Sequence, residues 1–412
     1  MTNLIRFSEQ FSDPHEYVIG MVRFIRKNVE KYDKILIALS GGTDSSTVVT
    51  LANEAAPNMS HSVFIDTGYM RIINGKKESE IIAETFKNVR NLEILDRSDY
   101  FYNKTFGIKD ANEKRLAFRK AYDEVLNSEA AKLSCNVHMD GTIKPDIIET
   151  VKKVKPQSNV DNVFDFEKKI EPLASLYKYQ VRKCAEVLEI PEPYRQPFPG
   201  PGLSLRAVGE INTQKLEVER TANAIVEEGV EDLFEKNYGK PFLYDDTLGE
   251  RIPFQYFAAT FDYKPDHNLQ DKEKEIKKYV KSLLNKTVNV EILESKATGV
   301  IYEGEESRRV YSPVVALEID GPVDTPLLEH IGNAIPERYG VSRVLHQIRS
   351  GLHRYAISIR NVKSTDAVTA KPLINFFPQY LSIASEIQEE CRNAGPIFQD
   401  ITSKPPGTIE YE

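Results

Sequence analysis

The chain has 412 residues, of which 41% are hydrophobic and 28% charged, and its formal net charge is −8. This length exceeds what one compact core usually organises and predicts two or three domains, while the composition is that of an ordinary globular protein and argues against disorder. The acidic balance argues against non-specific binding to nucleic acid, because such binding requires basic patches that neutralise phosphates.

The sequence shows neither an apolar run long enough to span a membrane nor the charged-then-apolar start of a signal peptide. We therefore expect a cytoplasmic protein that does not bind membranes. Its three cysteines, Cys135, Cys184 and Cys391, are widely spaced, which indicates neither a disulfide framework nor a zinc site. The simplest interpretation of each is a small core residue.

The first part of the chain alternates helical and strand patterns. Residues 14–31 carry apolar side chains at helical spacing behind a capping Asp13, and "KILIALS" (34–40) is typical of a strand buried in a parallel sheet. The patterns that follow predict a helix (45–56), a strand (61–66), a helix (77–89), a strand (92–96) and a long amphipathic helix (111–133). This alternation predicts an α/β fold with a doubly wound parallel sheet.

The pattern changes at the proline- and glycine-rich stretch "RQPFPGPGLSLRAVGE" (195–210), which is typical of a rigid connector. Beyond it, "VNVEIL", "SPVVALEI" and "RYAISIR" resemble strands and alternate with helical patterns, as in an α+β domain. We therefore place a domain boundary after residue 205, which gives domains 1–205 and 206–412.

The stretch "SGGTDSS" (40–46) follows the buried strand directly and opens a helix. Free N–H groups at a helix N-terminus attract anions, and glycines let the backbone approach a phosphate closely. The candidate phosphate-binding residues are Ser40, Gly41, Gly42, Ser45 and Ser46. Asp44 would repel a phosphate unless a divalent cation lay between them, so the pattern predicts ATP with Mg²⁺ and Asp44 as the metal ligand. A lone SGG would be explained by helix capping alone, and neither GxxxxGK[ST] nor GxGxxG is present.

The complete SGGTDSS resembles the PP-loop of enzymes that cleave ATP between its α- and β-phosphates, with Thr43 where valine is usual. Four further stretches, "VFIDTGYMR", "GIKDANEKR", "DGTIKPDIIET" and "YRQPFPGPGLSLRAVGE", resemble segments of GMP synthetase in the same order. The final "DITSKPPGTIEYE" resembles that family's C-terminal tail. Because no glutaminase region precedes the loop, the chain resembles the separate synthetase subunit of two-subunit systems.

The resemblance implies a ligase reaction in which the C2 carbonyl oxygen of XMP attacks the α-phosphate of ATP, pyrophosphate leaves, and ammonia displaces AMP to give GMP. It implies ATP and Mg²⁺ as cofactors, XMP or a related purine nucleotide as substrate, and a separate glutaminase subunit as the source of ammonia. The resemblance places Asp66 and Gly68 along the ATP. It implies a lid and catalytic set of Asp110, Glu113, Arg115 and Lys155. The residues that it implies at the purine nucleotide are Arg195, Pro199, Gly200, Gln255, Lys404, Thr408, Ile409 and Glu410.

The sequence departs from the family at its paired histidines, which are Gln157 and Ser158 here, and at the histidine before PFPGPG, which is Gln196. These departures leave two alternatives open. One is a paralogue that activates another carbonyl and delivers a nucleophile such as sulfur, for which Cys135 and Cys184 are the candidate thiols. The other is a nucleotide sensor without catalysis.

The C-terminal region is longer than the family pattern requires. Residues 289–351 and 352–412 both resemble the family's C-terminal unit, and only the second contains KPPGTIE. Two interpretations remain open. The first is an internal duplication whose copies pack against each other, so that one chain forms a pseudo-dimeric monomer. The second is an unrelated α+β insertion, with the chain forming the homodimer usual for the family.

Overall fold

The computed structural model describes residues 2–151, 166–247, 249–303, 306–364, 369–374 and 377–412. The chain divides into two compact units. The N-terminal unit comprises Met1–Met70, Lys76–Thr105 and Arg115–Gly200, and the C-terminal unit comprises Arg71–Gly75, Phe106–Lys114 and Pro201–Glu412. The division at Gly200 lies inside the proline- and glycine-rich connector, shortly before the boundary placed from the sequence.

Helices and strands occupy most of the described chain. The helices are α1 Pro14–Val29, α2 Thr43–Ala55, α3 Glu78–Thr85, α4 Ser98–Thr105, α5 Ala111–Leu133, α6 Lys144–Val151, α7 Lys178–Val187, α8 Thr213–Tyr238, α9 Gln270–Leu284, α10 Thr325–Tyr339 and α11 Phe377–Glu390. The strands are β1 Asn3–Arg6, β2 Ile35–Leu39, β3 Ser60–Asp66, β4 Ile72–Ile73, β5 Lys76–Lys77, β6 Leu92–Asp96, β7 Val137–Met139, β8 Lys168–Glu171, β9 Tyr244–Asp245, β10 Glu250–Arg251, β11 Phe254–Asp262, β12 Val288–Glu303, β13 Glu306–Ile319, β14 Arg343–Arg349, β15 Tyr355–Lys363, β16 Lys371–Pro372 and β17 Ala394–Asp400.

The N-terminal unit is built on a parallel sheet with the strand order β1-β8-β7-β2-β3-β6. Ile35 and Ile37 of β2 join a core cluster that includes Met21 of α1 and Leu51 of α2. Leu36 points to the opposite face of the strand and is equally buried, so β2 is covered on both sides. The α/β fold with a parallel sheet that the sequence predicts is therefore confirmed.

The capped helix predicted after Asp13 is also present. The Asp13 carboxylate accepts a hydrogen bond of 2.9 Å from the backbone N–H of Glu16, and Pro14 occupies the first turn of α1. A capping acid followed by a proline is a common helix start, since proline lacks an N–H that would need a partner there.

The C-terminal unit is an α+β layer around a second sheet, with the strand order β11-β15-β17-β14-β13-β12. The pairings along this order are antiparallel, parallel, antiparallel, parallel and antiparallel. The sequence of pairings is therefore the same from either edge of the sheet.

Helices cover one face of this second sheet. Tyr256 and Ala258 of β11 pack in a cluster with α8 and α11, whereas Val315 and Leu317 of β13 pack in a cluster with α9 and α10. The intervening residues of the same strands, such as Phe257 and Ala316, join a third cluster with Tyr411. Because side chains alternate along a strand, this third cluster lies on the opposite face, where the C-terminal tail packs.

Candidate active site

The stretch 40–46 forms a tight turn between β2 and α2 in the N-terminal unit. Gly41 has a φ of 75°, a left-handed conformation that glycine adopts without strain. A Cβ atom there would lie 3.1 Å from Cδ1 of Ile82 and 3.3 Å from Nη2 of Arg195. Both the backbone conformation and the close packing therefore require glycine at this position.

Hydroxyl groups hold the turn in shape from within. Ser45 Oγ accepts a hydrogen bond of 3.1 Å from the backbone N–H of Ser40, and it lies 2.9 Å from Ser40 Oγ. The first backbone hydrogen bond of α2 runs from Ser46 N–H to the carbonyl of Gly42, and no side chain of the described residues caps the helix. The N–H groups of the first turn are thus left for a ligand, with the positive end of the helix dipole behind them.

Lys178 lies at this turn, although the sequence patterns did not single it out. It is the first residue of α7, and its Nζ lies 2.7 and 2.8 Å from the two carboxylate oxygens of Asp44. Both side chains are partly exposed, Lys178 at 38% and Asp44 at 29%. The lysine balances the charge of the predicted metal ligand. A lone acid in a phosphate loop indicates that a cation lies near it, but this signal does not say which residue supplies the cation.

A second cation, Arg195, lies against the turn in the same unit. Its Nη2 is 3.6 Å from the buried Glu78 carboxylate, in addition to its proximity to Gly41. Arg195 was implied as a residue of the purine-nucleotide site. The structure places it beside the loop that the sequence assigns to phosphate.

The residues predicted along the nucleotide follow the strand next to β2. Asp66 ends β3, and its carboxylate accepts a hydrogen bond of 3.0 Å from Gly68 N–H. Gly68 has a φ of 75°, and its carbonyl accepts a hydrogen bond of 2.8 Å from the Tyr102 hydroxyl. Since β2 and β3 are parallel neighbours, their loops leave the same edge of the sheet.

Gly141 brings a third loop to this edge. It follows β7, the neighbour of β2 on the other side. A Cβ atom on Gly141 would lie 3.2 Å from the carbonyl carbon of Asp44 and 3.3 Å from the backbone nitrogen of Ser45. The loop after β7 therefore packs directly on the backbone of the phosphate turn, and only glycine fits without displacement.

The predicted lid residues lie at the start of α5. The Asp110 carboxylate accepts hydrogen bonds of 2.9 and 3.0 Å from the N–H groups of Asn112 and Glu113, so it caps the helix. Asp110 and Glu113 are exposed and belong to the C-terminal unit, whereas Arg115 is half-buried and belongs to the N-terminal unit. Lys155 lies outside the described residues, as do Gln157 and Ser158.

The predicted purine-nucleotide residues fall in both units. Arg195, Pro199 and Gly200 belong to the N-terminal unit. The C-terminal unit contains Gln255, which lies on β11, and the four tail residues Lys404, Thr408, Ile409 and Glu410. Within the tail, the Glu410 carboxylate accepts two hydrogen bonds of 3.1 Å from the buried Arg206. The Thr408 hydroxyl accepts one of 2.8 Å from Arg343. The two arginines were not predicted as partners of the tail.

Comparison with known proteins assigns this sequence to a family. Residues 344–411 match the model described as the GMP synthase C terminal domain. The chain is 34% identical to one subunit of the glutamine-hydrolyzing GMP synthase of Saccharolobus solfataricus, over 97% of this chain and 100% of that protein. The chain belongs to the GMP synthase family.

Two other members of the GMP synthase family are described as the same subunit. The protein of Pyrococcus horikoshii is 42% identical over 96% of this chain and 98% of its own length, and that of Methanosarcina barkeri is 43% identical over 95% and 98%. Among solved structures, the NH3-dependent NAD synthetase of Campylobacter jejuni overlaps 56% of this chain and 86% of its own, at 18% identity and a TM-score of 0.35. That score lies below the level at which a shared fold can be argued.

Asp44 fits the magnesium ion that the GMP synthase resemblance implies. Mg²⁺ is usually held by one or two carboxylates together with substrate phosphates and water. Asp44 offers one partly exposed carboxylate at the turn 40–46, where it is paired with Lys178. Within the described ranges, no group of three His, Cys, Asp or Glu side chains is arranged to hold a metal.

The cysteines do not resemble the reactive thiols of sulfur transfer. All three are buried and free. Burial raises the pKa of the Cys135 thiol to about 11 and those of the Cys184 and Cys391 thiols to about 12. Because the thiolate is the nucleophile, these groups are poorly suited to attack near neutral pH.

The helices of the described residues give no support to a membrane span. None of them combines the length and the apolar character needed to cross a bilayer.

Proposed function

We propose that this chain converts XMP to GMP in two steps. The C2 carbonyl oxygen of XMP attacks the α-phosphate of ATP, and the bond to the β-phosphate breaks with release of pyrophosphate. Ammonia then attacks C2 and AMP leaves with the oxygen. The observation that carries the proposal is the turn 40–46, because it combines unused helix N–H groups, a left-handed glycine and two nearby cations.

The turn is suited to hold the leaving group. The first-turn N–H groups of α2 and the hydroxyl groups of Ser40 and Ser45 bind the β- and γ-phosphates. Negative charge grows on these phosphates as the α–β bond breaks, and Lys178 and Arg195 stabilise it. Mg²⁺ bound to the nucleotide at Asp44 would neutralise further charge. Such a reaction depends on position and charge more than on covalent catalysis by the protein.

The remaining site residues have proposed roles that follow from the family resemblance. Asp110, Glu113, Arg115 and Lys155 form the catalytic and lid set, and Asp66 and Gly68 lie along ATP. The resemblance assigns the purine nucleotide to Arg195, Pro199, Gly200, Gln255, Lys404, Thr408, Ile409 and Glu410. For Arg195, its proximity to Gly41 favours the pyrophosphate instead. A separate glutamine-hydrolysing subunit supplies ammonia, in accordance with the description of the relatives as one subunit of a glutamine-hydrolysing enzyme. The cytoplasmic location stays a prediction.

The proposal is tested by incubating the protein with ATP, Mg²⁺, XMP and an ammonium salt and measuring pyrophosphate and GMP. We expect both products in equal amounts, and glutamine alone should not replace ammonium. Asp44→Asn should abolish both products. Asp13→Asn is the matched control, because asparagine also caps a helix well and Asp13 serves only α1.

Other outcomes would favour the alternatives. Pyrophosphate release that requires a purine other than XMP would indicate a paralogue with another substrate. ATP binding without pyrophosphate release under any of these conditions would indicate a sensor. The raised pKa values of the cysteine thiols argue against the sulfur-transfer form of the paralogue.

A further inference from the structure

The centre of the C-terminal sheet has an approximate two-fold symmetry. Strands β14 and β17 pair antiparallel, with Leu345 opposite Asp400, His346 opposite Gln399, and Gln347 opposite Phe398. A two-fold axis through the His346–Gln399 pair exchanges the two flanking pairs. It therefore relates each of these residues of β14 to the residue of β17 that lies 53 positions later, as it relates His346 to Gln399. Over these three pairs, the symmetry is therefore defined at the level of single residues.

The same axis relates the rest of the unit. Strand β13 is parallel to β14 and reaches it through α10, just as β15 is parallel to β17 and reaches it through α11. Strand β12 flanks β13 and follows α9, just as β11 flanks β15 and follows α8. Apart from the short strands β9, β10 and β16 of the outer half, each half thus has the order helix, strand, strand, helix, strand, with its own apolar cluster under its helices.

One half is inserted into the other along the chain. The inner half runs from α9 to β14 (270–349), and the outer half consists of α8 and β11 (213–262) together with β15, α11 and β17 (355–400). This nested order differs from the consecutive units 289–351 and 352–412 that sequence similarity suggests. Only the outer half continues into the tail.

The two halves differ at the residues that face the tail. The exchange equates Gln347 of the inner half with Asp400 of the outer half. The ionic partners are thus divided, with an arginine in the inner half and the aspartate in the outer half. Arg343 Nη1 lies 3.7 Å from the Asp400 carboxylate, and both residues are fully buried.

Arg343 also binds the tail directly. Its Nη2 donates hydrogen bonds of 2.8 Å to Thr408 Oγ1 and 2.8 Å to the carbonyl of Glu410. Arg360, from the outer half, donates one of 2.9 Å to the Thr408 carbonyl. A Cβ atom on Gly407 would lie 3.0 Å from Cζ of Arg343, so the glycine lets the tail approach the guanidinium.

We infer that the inner half serves as an internal partner of the outer half and that Arg343 is its positioning residue for the tail 404–410. Arg343 acts through Thr408 and Glu410, which it holds in one conformation. The inference rests on the proposed function, in which this tail binds the purine nucleotide. One chain then has a single organised tail, because only the outer half continues through β17 into residues 404–410.

Kinetics of pyrophosphate release test the inference. We expect Arg343→Gln to raise the KM for XMP at least tenfold while the KM for ATP stays within twofold, and Arg343→Lys to recover part of the loss. The matched control is Arg349→Gln on the same strand, since the Arg349 side chain is exposed and hydrogen-bonds Gln388 and Ser385 of α11 rather than the tail. A proportional loss of kcat with both KM values unchanged would overturn the inference.

Gly407→Ala provides the same test from the tail side if Arg343→Gln fails to fold. We expect the added methyl group to displace the tail from Arg343 while the charges of Arg343 and Asp400 are both kept, and the XMP-specific rise in KM should recur. An unchanged KM for XMP in this variant would overturn the inference.

Amide hydrogen exchange separates this inference from the proposed function. Faster exchange in the tail 404–410 of Arg343→Gln or Gly407→Ala, but not of Arg349→Gln, would support positioning by Arg343 even if no GMP is formed. Unchanged exchange in these two variants, with GMP formed by the wild type, would refute the positioning role alone.

Discussion

Because Lys178 contacts Asp44, we expect the loss of Lys178 to impair catalysis strongly and to leave stability nearly unchanged. Lys178→Gln removes a cation whose Nζ lies 2.7 and 2.8 Å from the Asp44 oxygens. Because both side chains are partly exposed, at 38% and 29%, the ion pair contributes less than about 1 kcal/mol to folding. Urea unfolding of the variant should therefore be close to that of the wild type.

Catalysis by the same variant should be strongly impaired. Removing one donor from developing negative charge typically lowers kcat by about 10²–10³-fold, or about 2.7–4 kcal/mol. We expect a loss of this size in pyrophosphate release at saturating ATP and XMP. The Mg²⁺ concentration that gives half the maximal rate should also fall, because the ammonium group no longer competes with the metal for Asp44.

Lys183→Gln is the control for this experiment. Lys183 lies on the same helix and forms an exposed ion pair of 3.2 Å with Glu186, so its loss tests the effect of removing a positive charge from α7. We expect its kcat to remain within twofold of the wild type. A similar kcat for Lys178→Gln would refute the role of Lys178 at the leaving group, whatever happens to stability.

Acid, cysteine replacement and molar mass give three further tests. Burial lowers the pKa of the His346 imidazole from 6.5 to about 4. The free energy of unfolding that this neutral imidazole preserves is therefore complete above pH 6.5 and is lost as the pH falls toward 4, by about 3 kcal/mol in all. Urea titrations should show a smaller acid loss for His346→Gln, and equal losses would contradict this explanation. Replacing Cys135 and Cys184 together by alanine should keep kcat for GMP formation within twofold, whereas inactivity of a folded variant would favour sulfur chemistry. Light scattering should give a molar mass near 46.9 kDa, because β14 and β17 already pair within one chain; twice that mass would count against an internal partner.

The phosphate turn was predictable because its signals are local. An all-apolar strand, two glycines and a helix start lie within a few residues, and each has a physical meaning without any knowledge of distant contacts. The left-handed φ of Gly41 and the uncapped start of α2 agree with that prediction. The long helix α5, predicted over 111–133, also follows from local periodicity.

Lys178 and Gly141 could not be found in this way, because their roles depend on tertiary contacts. Lys178 is separated from Asp44 by 134 positions in sequence. Gly141 packs on the Asp44 backbone because β7 is the neighbour of β2 in the sheet, and strand order is not encoded in a single stretch. A sequence pattern gives the type of each strand but not which strand lies beside it.

The arginines that surround the C-terminal tail show a different limit of prediction from sequence. Arg206, Arg343 and Arg360 are all fully buried, although a charged residue is normally expected at the surface. Each has an apolar residue on at least one side, in "SLRAV", "SRVLH" and "SIRNV", which is a weak sequence signal of a buried cation. Its partners, Glu410, Asp400 and the tail carbonyls, lie elsewhere in the chain.

The nested order of the C-terminal unit explains why its symmetry is hard to see in the sequence. A tandem duplication repeats its elements in order, so a fixed offset finds every pair. Here β17 of the outer half follows its counterpart β14 of the inner half by 53 residues, whereas β11 of the outer half precedes its counterpart β12. No single offset therefore relates all elements of the two halves. The insertion between β11 and β15 also keeps the pairing of its host strands intact, since these strands still pair along nine residues. An insertion that preserves its host's strand pairing can be accommodated without loss of the host's core, which is consistent with the separate apolar clusters of the two halves.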